Sequence, residues 1–286
     1  MTYPILGSYE MHVHASPDVT PRLETDLEIT ERWSAAHMGG GVLKCHYAPT
    51  AARAALMQTL HPELKIIGGI VLNRAVGGLN PEAVERCAQM GGQYVWFPTM
   101  DALSYQKHVH RNDPHADLSA TIYLLDRWGG LLPEAKAVLR TAASHQMLVG
   151  TGHISAQEGM ALVHYAAEEK LTCTIILTHA DNPADLYTID EQREAVQLGA
   201  MVEHCYFTTY YNRTSIESIT EQIRAVGCDK VILSTDFGQP KSPGSVEGLA
   251  EYQQLLASQG FSNEELHLMF CDTPARLLSF RIKQGK

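Results

Sequence analysis

The chain has 286 residues, 45% of them apolar, which is enough for one large α/β domain or two ordinary ones. A net charge of -10, from 22 basic and 32 acidic residues, argues against nucleic acid or an anionic membrane as partner, since both call for a basic face. No run of about 18 apolar residues exists to cross a bilayer, and Met1 to Glu10 lacks the basic and apolar regions of a signal peptide. The six cysteines (Cys45, Cys87, Cys173, Cys205, Cys228 and Cys271) show no Cys-x-x-Cys spacing. They read as small buried hydrophobes of a reducing compartment, and a cytoplasmic location is expected. Cys45 and Cys205 fall on strands beside the candidate site, where an oxidation-sensitive role is the less favoured reading.

Taken in chain order, eight apolar or alternating runs read as strands: 9–14, 41–46, 65–72, 93–98, 147–153, 174–179, 200–207 and 231–236. Between them lie segments of helical periodicity at 27–38, 51–60, 81–90, 133–144, 156–170, 189–198 and 216–226. Strand and helix in alternation, with near-continuous apolar strands, predict a parallel sheet covered by helices. Eight repeats in one chain of this length fit a (β/α)8 TIM-type barrel, a single domain over 1–286, better than an open sheet. Neither a Gly-x-Gly-x-x-Gly turn nor a phosphate-binding Gly-x-x-x-x-Gly-Lys loop is present.

The fourth unit is longer than the rest. Its excess, 99–132, ends in Ile122-Tyr-Leu-Leu-Asp-Arg-Trp-Gly-Gly-Leu-Leu, which reads as a small β-hairpin. An insertion after a strand falls on the C-terminal face of a barrel, so a lid or substrate wall is expected there. After Gly238 comes a Gly- and Pro-rich loop and then two helices, the last starting near Asp272, with Asp272 as N-cap and Pro274 in the first turn.

Polar residues gather at the strand ends. The first strand ends in His12-Val13-His14, whose imidazoles share a face because side chains alternate along a strand. The second ends in Lys44 and His46, the fifth in His153, the sixth in His179 and the eighth in Asp236. One histidine at a strand end is usually a hydrogen-bonded structural residue. Coincidence across four strands instead points to a ring of ligands around a divalent metal, Zn²⁺ first, with Mn²⁺ or Fe²⁺ as alternatives. Such a metal leaves a position for water and lowers that water's pKa, and Asp236 could bind with one oxygen while taking a proton with the other.

Lys44 carries three readings: a structural ion pair with Glu203 or Asp236, a charge that orients substrate or steadies an oxyanion, or a carbamylated bridge between two metals. His46 has the parity of Lys44 and faces the same cavity, a candidate substrate contact. Of the long loop's Asp101, Lys107, His108, His110 and His115, only His108 is taken as a substrate contact. Glu203 and His204 cannot both face inward. Trp33, Trp96 and Trp128 are assigned to packing.

These residues together resemble the amidohydrolase superfamily, metal-dependent hydrolases on a distorted (β/α)8 barrel. The resemblance runs from His12-Val-His14 to the closing Thr273-Pro-Ala-Arg-Leu-Leu278, and Gly-Thr-Gly-His153-Ile-Ser and Leu-Thr-His179-Ala-Asp are similar to a less characterised cytosolic subgroup. It implies His12, His14, His153, His179 and Asp236 as metal ligands, with Asp236 also the proton shuttle. One departure stands out. Binuclear members place a carbamylated Lys or a Glu on the fourth strand, where this chain reads Tyr94-Val-Trp-Phe-Pro-Thr-Met. One metal, or two bridged by Lys44 or by water and Asp236, are the alternatives.

The expected activity is hydrolysis of an amide, lactone or other ester bond by metal-activated water. Rival readings are a decarboxylase of the same superfamily, a PHP-type phosphoesterase, for which an Arg or Lys cluster is lacking, and a non-enzymatic binding protein with a structural metal. The partners expected are a small-molecule substrate and, at most, further copies of this chain in a homo-oligomer.

Overall fold

The computed structural model describes residues 5–279. All eight expected strands form, and the third breaks at Gly68 into two short pieces. In chain order they are β1 (Tyr9–His14), β2 (Gly40–Lys44), β3 (Lys65–Ile67), β4 (Gly69–Val71), β5 (Tyr94–Trp96), β6 (Leu148–Gly150), β7 (Thr174–Leu177), β8 (Met201–Cys205) and β9 (Val231–Ser234). Every pairing is parallel, β1-β2-β3 in one sheet and β4 through β9 in the other. Thr50 spans the break: its hydroxyl donates to Leu43 O and accepts from Gly69 N.

The last strand returns to the first. His14 N donates to Phe237 O at 2.8 Å, Asp236 N donates to His12 O at 2.9 Å, and Val13 bridges Phe237 in parallel. The sheets therefore curve into an α/β barrel with helices outside. The helices at Ala51–Leu60, Pro133–Ser144 and Ile216–Val226 have the predicted bounds, and the others lie within a few residues of theirs. Local chemistry explains their starts: Thr25, Ser155 and Thr188 each accept from the N3 amide while the N3 glutamate accepts from the cap. No helix among the described residues is long and apolar enough to cross a membrane.

Alternation along the strands divides the apolar core in two. Val13, Leu43, Val95, Val149, Leu177, Val202 and Leu233 point outward against the helices. Met11, Val42, Tyr94, Trp96, Leu148, Ile176, Met201 and Ile232 fill the barrel interior, closed from below by Leu277 and Leu278. Gly150 exists for this packing, since a Cβ there would stand 2.3 Å from Trp96.

Two expectations change. The hairpin after the fourth strand is reduced to one antiparallel bridge, Leu125 to Leu131, with Asp126 accepting from the amides of Trp128 and Gly130, and a helix at Leu103–Val109 precedes it. Asp272 is no N-cap. The helical run begins at Asn263, capped by Ser262 and Glu265, passes through a π-helical turn at Leu268–Asp272 and continues as Thr273–Ser279. Pro274 lacks the N–H of a regular turn, and the widened turn before it absorbs that defect, so the helix need not restart.

Candidate metal centre

The centre sits on top of the interior apolar layer, at the C-terminal ends of the strands. Its placement begins with a bulge. The β1–β2 register runs Tyr9↔Gly40 and Glu10↔Gly41, then Val13↔Leu43 and His14↔Lys44, so β1 carries one extra residue. The extra residue switches the inward parity, and Met11 joins the apolar plug while His12 and His14 join the centre.

His12 Nε2 and His14 Nε2 lie 3.1 and 3.2 Å from the same atom, Asp236 Oδ1. One ligand atom from each of the three falls within 4.8 Å of the others, the spacing of groups that share one ion. Asp236 reaches this point from a positive φ of 54° just beyond β9, a conformation unusual for a residue with a side chain and frequent at functional sites. His179, at φ 31° after β7, does the same. By simple alternation Ile176 and Thr178 would face inward and His179 outward; the left-handed turn re-aims it. His153 follows Gly152, at φ 68°, where a Cβ would stand 2.3 Å from Phe97 O.

The rings of His12 and His179 are 5.9 Å apart, those of His153 and His179 4.9 Å, and those of His46 and His153 5.8 Å. Buried His179 Nε2 and His153 Nδ1 have no hydrogen-bond partner. A buried polar atom left unpaired is costly, and two on imidazoles facing a third and fourth histidine fit a metal as the missing partner. His179 Nδ1 lies 2.8 Å from Asp185 Oδ2. His12 Nδ1 lies 3.0 Å from Glu203 Oε2, and Ser234 donates to the other carboxylate oxygen. A carboxylate on one ring nitrogen fixes the tautomer that turns the other nitrogen to an ion. Glu203 thus faces inward with Met201 and Cys205, whereas buried His204 faces away and pairs with Asp181 at 2.8 Å.

Electrostatics follow from burial and neighbours. Burial opposes charge on His12, but Asp236 and Glu203 carry it up to about 9. Burial takes His14 down to about 3, and lowers His46 and His153 well below the ordinary histidine value. Those three present neutral imidazoles, the form that ligates metal. Burial alone would raise Asp236, yet His12 and His14 hold it well below the usual carboxylate range. Lys44 is fully buried and lowered by burial, against the pull of Asp236 and Glu203. Its Nζ makes no direct carboxylate pair: it lies 2.7 Å from His12 Nε2 and 5.3 Å from the Trp96 ring centroid.

A cavity of about 290 Å3 opens onto the centre, lined by His14, His46, His153 and Asp236 from the strand ends. His46 is oriented by Thr99, whose hydroxyl lies 2.8 Å from Nδ1 and accepts from Asn73. Thr99 stands just past the end of β5. His108 does not line the cavity; Tyr105, one turn earlier on the same helix, does, with its ring 4.9 Å from His153. Arg22 and Arg213 also line it; both sit on loops, where the sequence carries no periodic signal. A larger groove of about 610 Å3 between Gly129 and Glu194 contains none of the strand-end residues, and chemistry, not size, decides between the two.

The model of the Family of unknown function (DUF6282) matches residues 7–203. No curated protein matches the chain by sequence. Among solved structures it is similar to 2,6-dihydroxybenzoate decarboxylase from Rhizobium, at 12% identity and a TM-score of 0.60 over 96% of this chain and 99% of that one. It is similar to an amidohydrolase from Pseudomonas aeruginosa, at 12% identity and 0.61 over 95% of each chain. A third is the metallopeptidase dipeptidase AC, at 11% identity and 0.63 over 97% and 99%. The chain belongs to the Family of unknown function (DUF6282) and has the barrel fold of amidohydrolase-superfamily structures.

Proposed function

We propose that the chain is a cytoplasmic metal-dependent hydrolase that cleaves an amide, lactone or other ester bond of a small molecule. The observation that carries this reading is the meeting of His12, His14 and Asp236 at one point, beside the unpartnered nitrogens of His153 and His179. Those five residues would hold the ion, and a set of imidazoles with one carboxylate suits Zn²⁺ best. A divalent ion supplies Lewis-acid polarisation of a carbonyl and a water of lowered pKa.

The protein's own share is orientation and proton handling. Glu203 and Asp185 hold the Nδ1 edges of His12 and His179, so both rings keep one direction. Asp236, ionised and open to the cavity, is placed to accept a proton from water and pass it to the leaving group. Lys44 Nζ stands 2.7 Å from His12 Nε2, the nitrogen that would face the ion, so it would give up that contact when the ion is held. With no Lys or Glu at the end of β5, and Lys44 in contact with one ligand, a single ion per chain is the expected stoichiometry.

A decarboxylase is the second reading, favoured by the Rhizobium decarboxylase of the same fold. Elemental analysis of freshly purified protein, followed by turnover in ¹⁸O-water with a panel of lactones, esters, amides and aromatic acids, tests both. Label in the product supports hydrolysis; CO₂ release without label replaces it with the lyase. Absence of bound metal from the active protein would sink the proposal.

A further inference from the structure

The cavity is built to receive a negative charge. Its charged lining groups are Arg22, Arg213 and Asp236. Asp236 is engaged by two imidazoles, so its charge is directed into the centre and not to the mouth. Arg22 is partly offset: Asp18 accepts from its Nε at 2.8 Å, and its Nη2 also lies 3.5 Å from His14 Nδ1. Arg213 differs. Among the described residues no carboxylate lies within ion-pair distance of it, and its guanidinium stacks over the Phe207 ring at 4.7 Å, which holds the planar fork at the cavity rim. Its field acts on Tyr105 and His108 across the opening.

Tyr47, Met100, Tyr105 and Phe207 give the cavity flat surfaces, beside polar Thr20, Asn182, Gln239 and the three histidines. A guanidinium fork recognises carboxylate with two parallel hydrogen bonds, and a cleft whose free charges are positive strengthens that attraction. Aromatic walls select a planar body. We infer that the substrate is a small planar carboxylate whose anionic group is received by Arg213, with Arg22 adding to the positive field. The inference rests on the hydrolase reading for the identity of this cavity as the substrate site, and it names the class of molecule that enters.

Benzoate and benzamide test it, because they share shape and differ in charge. Calorimetric titration of the intact protein, as purified and after chelator treatment, should show benzoate bound about tenfold or more tightly than benzamide, the effect of one charge-assisted hydrogen bond. Arg213→Gln should remove that preference in both metal states, and Arg213→Lys should restore only part of it. Arg213 is exposed, so these variants are expected to fold. Equal affinity for the two probes, no benzoate binding at millimolar concentration, or benzoate binding unchanged in Arg213→Gln would overturn the inference. The measurement needs no turnover. A protein that discriminates the probes but hydrolyses nothing loses the hydrolase and keeps the anion site, and the converse result does the reverse.

Discussion

The same strands build two unlike layers of the barrel interior. The lower layer is apolar, with Met11, Val42, Trp96, Ile176 and Ile232 packed against one another. One step further along, β1, β2, β8 and β9 deliver His12, Lys44, Glu203 and Ser234, all fully buried and linked by polar contacts. Burying an ionisable group in isolation is costly, so the upper layer persists only because each of these groups has a polar partner. The lower layer fixes the barrel's dimensions and therefore the positions of strand ends that the upper layer needs. Mutations should split accordingly: stability lost below, function lost above.

The largest effect is expected at Asp236. Asp236→Asn keeps the side-chain shape and two of the contacts, so the fold should persist, while turnover falls about 10²–10⁴-fold through loss of the proton acceptor. Steady-state kinetics beside a thermal melt check both halves, and undiminished turnover removes Asp236 from proton transfer. In the lower layer, Trp96→Ala should cost about 3–5 kcal/mol, because the indole is fully buried and its stack on Tyr94 leaves a void when removed. A urea midpoint close to that of the parent would mean that the plug collapses around the gap and does not set the barrel's size.

Glu203→Gln probes the link between the layers and the ion. The amide can keep a contact with Ser234 but no longer holds the charge opposite His12 Nδ1. Metal affinity should drop about 10–100-fold, with little change in unfolding midpoint for the metal-free protein. Competition against a coloured chelator measures it, and unchanged affinity would leave Glu203 a structural carboxylate only.

Much of this division is legible in the sequence, for a physical reason. Strands of a parallel sheet, buried on both faces, read as short near-continuous apolar runs between helical segments, so all eight are legible, and the inward parity of Lys44 and His46 follows from side-chain alternation. The same rule decides Glu203 over His204 once Met201 and Cys205 are seen to face the interior. What alternation cannot show is where it fails. The extra residue in β1 and the left-handed turns at His179 and Asp236 depend on backbone hydrogen bonds between segments far apart in the chain, such as Asp236 N to His12 O. Loop residues have no period at all, so the sequence does not distinguish His108 from Tyr105, Arg22 and Arg213, which line the cavity. Asp272 met every local criterion for a cap, and the π-helical turn outweighed them through the burial of Met269 and Phe270.

The boundary between the layers is Lys44 over Trp96, and there the two kinds of effect should separate within one contact. Lys44→Met retains the apolar stem that packs on the indole and removes only the ammonium. Burial already disfavours that charge, which lowers the lysine's proton affinity, so its removal relieves a desolvation cost as it deletes the contact to His12. The two terms oppose, and the net change in stability should stay within about 1 kcal/mol, far below the Trp96→Ala loss one layer down. Metal affinity should nevertheless rise, because the ammonium that occupies the His12 Nε2 lone pair and repels a cation at the centre is gone. A Lys44→Met protein as unstable as Trp96→Ala would place Lys44 in the packing layer. Stability and metal affinity both unchanged would detach it from the centre altogether.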